Sequence, residues 1–189
     1  MRKTALTLLC AVCVLSVSLW AQAPAGPPKP APELKRLNYY LGDWTAEGTM
    51  QPGPMGPGGK WTGKDHNTWS FNGFFLTMNS TGSMAGAPMK SVAYFGYDPE
   101  KKVYTYHGFD SMGMASESTG TVKGSDWTWT NRETHGGKTY DGRFLIHEES
   151  PTAYTMKFDV SEDGGKTWKT MMDGKATKAA AAKPAGDKK

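Results

Sequence analysis

The feature that most constrains this chain is a two-residue period that recurs through its middle. In the run from Trp61 to Phe71 the odd positions are Trp61, Gly63, Asp65, Asn67, Trp69 and Phe71. The even positions are Thr62, Lys64, His66, Thr68 and Ser70. Tyr154, Met156, Phe158 and Val160 alternate in the same way with Thr155, Lys157, Asp159 and Ser161, while Trp127 shares a face with Trp129 and Tyr104 with Tyr106. A side chain switches faces at every residue of a strand, so this alternation describes sheets with one dry and one wet side, which is antiparallel behaviour.

The runs that carry the period predict about ten strands: Asp43–Gln51, Lys60–Phe71, Phe74–Thr81, Met89–Tyr97, Lys102–Phe109, Met114–Lys123, Asp126–His135, Lys138–His147, Ala153–Val160 and Lys166–Ala176. Between them lie turn residues: Asn72-Gly73, Asp98-Pro99-Glu100, Gly124-Ser125, Gly136-Gly137 and Asp163-Gly164-Gly165. Links this short join neighbours, and they leave no room for the crossover helices of a parallel sheet. The expectation is an all-β, antiparallel, up-and-down barrel, because closure removes the exposed edges of a long meander. An open sandwich is the alternative. Gln51 to Gly59 and Ser83 to Pro88 are the longest irregular stretches and are expected as loops at the barrel mouth. One short helix is expected over Ala31 to Leu41, with Leu34, Leu37 and Leu41 on one face and Gly42 as its stop.

The ends read differently. Met1, Arg2 and Lys3 precede an uncharged apolar run from Thr4 to Trp20, followed by Ala21, Ala23 and Ala25. Basic, apolar, then small residues is the order of a secretory signal, so residues 1–25 are expected to be cleaved near 21–25 and the protein to be periplasmic or secreted. Both cysteines, Cys10 and Cys13, fall inside that signal. The mature chain then has no disulfide, no Cys-ligated zinc and no thiolate nucleophile. A Pro-rich linker (26–32), a barrel domain (33–177) and a Lys/Ala-rich disordered tail (178–189) complete the organisation. The formal charge of +4 resides in those ends, since residues 26–174 carry 15 basic and 17 acidic side chains. A nucleic-acid surface on the folded domain is therefore not expected, nor is stable membrane insertion.

Gly42-Asp43-Trp44 after a short helix resembles the opening of the lipocalin, or calycin, superfamily. Leu41-Gly42-Asp43-Trp44, Asn72-Gly73-Phe74-Phe75-Leu76, Met84-Ala85-Gly86-Ala87-Pro88, Tyr94-Phe95-Gly96-Tyr97-Asp98 and Phe109-Asp110-Ser111-Met112-Gly113 together resemble the DUF1579 family of bacterial proteins. The resemblance implies a lipocalin-like barrel with a helix over one end and a Trp plugging it, and it implies no activity. Related haem-binding nitrobindins use a His on a late strand. Residues 153–176 here contain no histidine, so that route to haem is not expected.

Few motifs carry chemistry. Ser161-Glu162-Asp163-Gly164-Gly165-Lys166-Thr167-Trp168 matches the Asp-box of sialidase propellers. It occurs once, and a propeller needs several copies, so a hairpin turn with Trp packed beneath it is expected. His66, His107, His135 and His147 show no metal-ligand spacing. Met112-Gly113-Met114 with Met50, Met55, Met84 and Met89 allows a copper(I) reading, but packing of irregular apolar space is the stronger expectation. There is no Gly-x-Ser-x-Gly and no phosphate-cradling loop before a helix. No cofactor is assigned, and an enzyme is less expected than a binder.

The informative oddity is polarity on an inner face. Asp65 and Asn67 share a side with Trp61, Trp69 and Phe71. Buried polar groups need partners. Either they join a structural network with Arg132 or Arg143, or they line a hydrated pocket of the kind small ligands occupy. The candidate cavity comprises Trp44, Trp61, Trp69, Tyr94, Tyr106, Trp127, Trp129, Met156 and Phe158, with Asp65, Asn67 and Arg143 orienting a small, partly apolar ligand. A filled barrel acting as an interaction module is the alternative.

Overall fold

A computed structural model describes residues 26–53, 57–135 and 137–180. Ten strands follow in order: β1 Gly42–Met50, β2 Gly59–Ser70, β3 Phe75–Met84, β4 Ala87–Asp98, β5 Val103–Asp110, β6 Ala115–Lys123, β7 Asp126–His135, β8 Lys138–Ser150, β9 Ala153–Ser161 and β10 Lys169–Lys178. Each pairs antiparallel with its sequence neighbour, and β1 pairs with both β2 and β10, closing the barrel. The expected signal (1–25), Met55 and the chain from residue 181 onward lie outside the described residues.

Three local expectations are corrected. The segment Ala31–Leu41 forms a 3-10 helix over Pro32–Tyr40, in which Leu34, Leu37 and Tyr40 are buried. Three residues per turn places positions three apart on one face, and Tyr40, not Leu41, is the last residue of that buried row. Ser83 to Pro88 is a tight hairpin rather than a loop. Ala85 and Gly86 both take left-handed backbone (φ +48° and +84°), the conformation that a two-residue turn between twisted strands demands. Phe71 does not continue the inner face of β2. Phe71, Asn72 and Gly73 have φ of +48°, +57° and +86°, so the chain swings away and leaves the Phe71 ring 66% exposed against Phe75 and Tyr94.

The register fixes which side chains face in. Trp127 opposes Ile146, Trp129 opposes Phe144, and those two oppose Met156 and Phe158 on β9. Met172, Gly174 and Ala176 continue the set on β10. Leu76 opposes Phe95, which opposes Tyr106. The apolar cluster gathers at the end covered by the 3-10 helix, where Leu37, Trp44, Leu76 and Trp127 are fully buried. Each such side chain contributes about 1.5–3 kcal/mol by leaving water, so the core of this barrel is its floor.

Candidate functional site

The floor is a latch built from indoles. Trp44 Nε1 donates to the carbonyl of Tyr40 at 2.8 Å, and Asn67 Nδ2 donates to the same oxygen at 2.7 Å. Trp69 Nε1 donates to Asn38 Oδ1 at 2.9 Å. Trp127 Nε1 donates to Glu148 Oε1 at 2.7 Å, while Arg36 from the helix holds Glu148 Oε2 at 2.6 Å and lies over the Trp127 ring. The Tyr104 hydroxyl donates to the Glu33 carbonyl at 3.0 Å. These bonds tie the helix to β1, β2, β5 and β8, which fixes the plug without a disulfide. Burial raises the proton affinity of the Tyr40 and Tyr154 hydroxyls and pushes Tyr39 up to about 12, so these phenols are neutral.

Above the floor the lumen changes character. Gly48, Gly63, Ser80, Ser91, Ser118 and Gly142 face inward at mid-height. Large rings lie against the wall over such small positions instead of crossing the centre. Trp61 rests on Gly174, and its Nε1 donates to the Asp173 carbonyl at 3.0 Å. Trp129 lies on Gly120, and the Tyr106 hydroxyl reaches over Gly108. Consequently Trp61, Asp65, Met78, Tyr106, Phe144 and Phe158 face inward and still keep accessible surface. An inward side chain that is partly accessible borders space no other side chain fills, so water-sized space remains beside these residues above the aromatic floor.

Asp65 is the charged group at mid-depth. Its Oδ1 accepts from Ser80 Oγ at 2.5 Å, and burial raises its proton affinity above the usual carboxylate range. The hydroxyls of Tyr106 and Tyr154 both sense its charge. One turn of the pleat deeper, Asn67 is 5% exposed, and its Oδ1 has no hydrogen-bond partner.

Of the residues expected to form the cavity, ten do face inward. Trp44, Asn67, Trp69 and Trp127 belong to the plugged floor, and Trp61, Asp65, Tyr106, Trp129, Met156 and Phe158 to the wall above it. Two do not. Tyr94 lies on the outer face, since its neighbour Phe95 takes the inward position against Tyr106 and Trp129. Arg143 is also outside, where its Nη2 meets the Asp159 carboxylate at 2.9 Å and its guanidinium covers Trp168 at 4.2 Å. In both cases an aromatic residue follows directly, at Phe95 and Phe144, and alternation alone does not say which of the two points in. The expected networks of Asp65 and Asn67 with Arg132 or Arg143 are absent as well: Arg132 pairs with Asp141 and Arg143 with Asp159. Phe95, Phe144, Ser80 and Tyr154 are lumen residues that the sequence reading did not single out.

The remaining motifs resolve into structure. The Asp163 carboxylate accepts from the Lys166 and Thr167 amides and from the Ser161 and Thr167 hydroxyls, which lowers its pKa to about 2. The Asp-box is thus a turn at the mouth. His66, His107 and His147 stand on the outer wall, each beside a cross-strand carboxylate: Asp43 at 2.6 Å, Glu117 at 3.3 Å and Asp126 at 2.7 Å. No group of three potential ligands that could hold a metal occurs among the described residues. Met112 and Met114 sit on an exposed turn, 62% and 48% accessible, and Met50 is buried. A trough of about 550 Å³ runs over β10, β1, β2 and β3, lined by outward residues such as Thr45, Thr62, Lys64, Thr81 and Thr177 and floored by Ala46, Gly63 and Gly82. Two of its charged groups, Lys175 and Glu47, pair with each other at 3.2 Å.

A family model described as "Protein of unknown function (DUF1579)" matches residues 29–178. Among solved structures, Rv2717c from M. tuberculosis is similar in fold, with a TM-score of 0.54, 13% identity, and coverage of 80% of this chain and all of that one. The S-type phycobiliprotein lyase CPES from Guillardia theta aligns with a TM-score of 0.50 and 11% identity over 78% of this chain and 92% of its own. No curated protein matches the chain.

Proposed function

The chain belongs to the DUF1579 family, and from that premise we propose that it is an exported binding protein that holds one small, partly apolar ligand in the barrel lumen. One observation carries the reading. Aromatic rings are laid flat along the inner wall over glycines, while the inward Trp61, Tyr106, Phe144 and Phe158 and the inward Asp65 remain partly accessible. Apolar walls with a few placed polar groups are what small-molecule sites present. A barrel meant only to be filled would carry branched aliphatic side chains at these heights in place of serine and glycine. Export is supported by the basic, apolar and small-residue order of residues 1–25.

The test is titration with N-phenyl-1-naphthylamine, a neutral probe that fluoresces when it leaves water. Saturable binding at one site per chain, quenching the lumen tryptophans, is the expected result. A flat titration, together with native mass spectra of host-purified protein that show only the bare chain, would leave the barrel without a ligand. The mature N-terminus read from the same spectra should fall near residues 22–26.

A further inference from the structure

We infer that the lumen selects a ligand bearing a protonated amine or a comparable cationic hydrogen-bond donor, seated on Asp65. This rests on the lumen-binding reading above and narrows it.

The case starts from what surrounds the carboxylate. Asp65 has a single hydrogen-bond donor among the described residues, Ser80 Oγ on Oδ1, which leaves Oδ2 to the lumen. No Lys or Arg of the described residues takes an inward position at mid-depth. Inward cations occur only at the ends: Lys178 at the floor, 5.3 Å from the Trp44 ring centre, and exposed Lys138 and Lys169 at the rim. Lys138 is engaged by Glu162. Asp65 is therefore a carboxylate withdrawn from water with no counter-charge supplied by the protein. Such a group is costly in a folded chain unless something pairs with it.

The neighbouring inward side chain on the same strand does not pair with Asp65 either. Asn67, next inward on β2 and 5% exposed, spends its Nδ2 on the Tyr40 carbonyl and has an Oδ1 with no donor. The Asn67 amide donor is thus committed to the plug and its Oδ1 is sealed from the lumen, so Asp65 Oδ2 is the acceptor that faces a ligand. A ligand that brings an N–H group satisfies Asp65 Oδ2; a ligand carboxylate meets like charge there. Trp61 also comes close, its Cζ3 and Asp65 Oδ1 each lying 4.0 Å from where a Cβ on Gly63 would stand, and aromatic rings attract an ammonium through their quadrupole. The ligand class is an amine with an apolar or aromatic body.

Three probes of one shape separate the possibilities: 1-naphthylmethylamine, 1-naphthylmethanol and 1-naphthoate, measured by calorimetry at pH 7 on the mature chain. The amine should bind at least ten-fold more tightly than the alcohol, and the naphthoate weakest. Asp65→Asn should bring the amine-to-alcohol ratio close to one. Glu117→Gln removes one charge from the outer wall and should leave the ratio as in the parent. Equal binding of amine and alcohol, or a preference for naphthoate, overturns the inference and leaves lumen binding standing. Failure of all three probes and of N-phenyl-1-naphthylamine defeats both. If Asp65→Asn does not fold, the ranking of the three probes on the parent protein decides.

Discussion

The indole of Trp129 lies on the backbone of Gly120, its cross-strand partner, so closely that a Cβ on Gly120 would stand 2.5 Å from Trp129 Cε3. The contact joins sequence to cavity. Glycine on β6 leaves room for the ring to lie along the wall, and a ring along the wall takes less of the lumen than one that crosses it. Gly120→Ala must displace the indole and disturb its edge-on contact with Phe95, whose ring centre lies 5.4 Å away. Overpacking of this kind costs about 1–3 kcal/mol. Urea unfolding should report a loss in that range, with a changed near-ultraviolet dichroism of tryptophan and weaker probe binding. An unchanged spectrum would mean that the ring does not depend on the glycine.

Glu148 serves two partners at once, the Trp127 indole at 2.7 Å and the Arg36 guanidinium at 2.6 Å. Its side chain is 10% exposed and that of Arg36 30%. Removing one member of a fully buried pair costs roughly 3–5 kcal/mol, and the partial exposure of Arg36 reduces this. Glu148→Ala should lower stability by about 2–4 kcal/mol on that basis. Glu148→Gln keeps an acceptor for Trp127 and should lose less. Since Arg36 lies on the 3-10 helix, amide exchange in Leu34–Tyr40 should quicken in both variants, and more in the alanine one.

The strands and the floor were legible because their signals are strong and local. Alternation in Trp61–Trp69 and Tyr154–Val160, with glycine-rich turns between, locates strands to within a few residues. Two things were not legible. In Tyr94-Phe95 and Arg143-Phe144 both neighbours suit a face, and only pairing with β3, β5 and β9 selects Phe95 and Phe144 for the interior. The partners of Asp65 and Asn67 were the other gap. Ser80 and the Tyr40 carbonyl are contributed by β3 and by the plug, and neither lies near enough in sequence to leave a motif.

The Asp163 turn makes a pH signature at the mouth. Its carboxylate pKa is lowered to about 2 from 3.8 by the Thr167 and Lys166 amides and the Ser161 and Thr167 hydroxyls. A depressed acid binds its proton less well in the folded state. Its stabilising effect is then present above 3.8 and fades as pH falls toward 2. Asp163→Ala should melt at a lower temperature than the parent at pH 7, and the gap should shrink between pH 4 and pH 2. A gap that does not change with pH would assign the effect to turn geometry alone.

Asp65 has the opposite sign. Burial raises its pKa above 3.8, with the Ser80 hydrogen bond a smaller, opposing effect. The groups that face it, the Tyr106 and Tyr154 hydroxyls, have raised pKa values and stay neutral through the acid and neutral range. A raised acid holds its proton more tightly in the fold than in the unfolded chain. The fold is favoured by this group below 3.8, and that advantage is lost as pH rises through the folded pKa. Asparagine keeps an oxygen for Ser80 and cannot ionise. Asp65→Asn should therefore melt above the parent at pH 7, with the difference closing as pH is lowered toward 4. Saturating 1-naphthylmethylamine should raise the parent's melting temperature more than the variant's, because the ligand supplies the charge the carboxylate lacks. A variant less stable than the parent at pH 7 would mean that the ionised form is already compensated within the chain. The lumen would then need no cation.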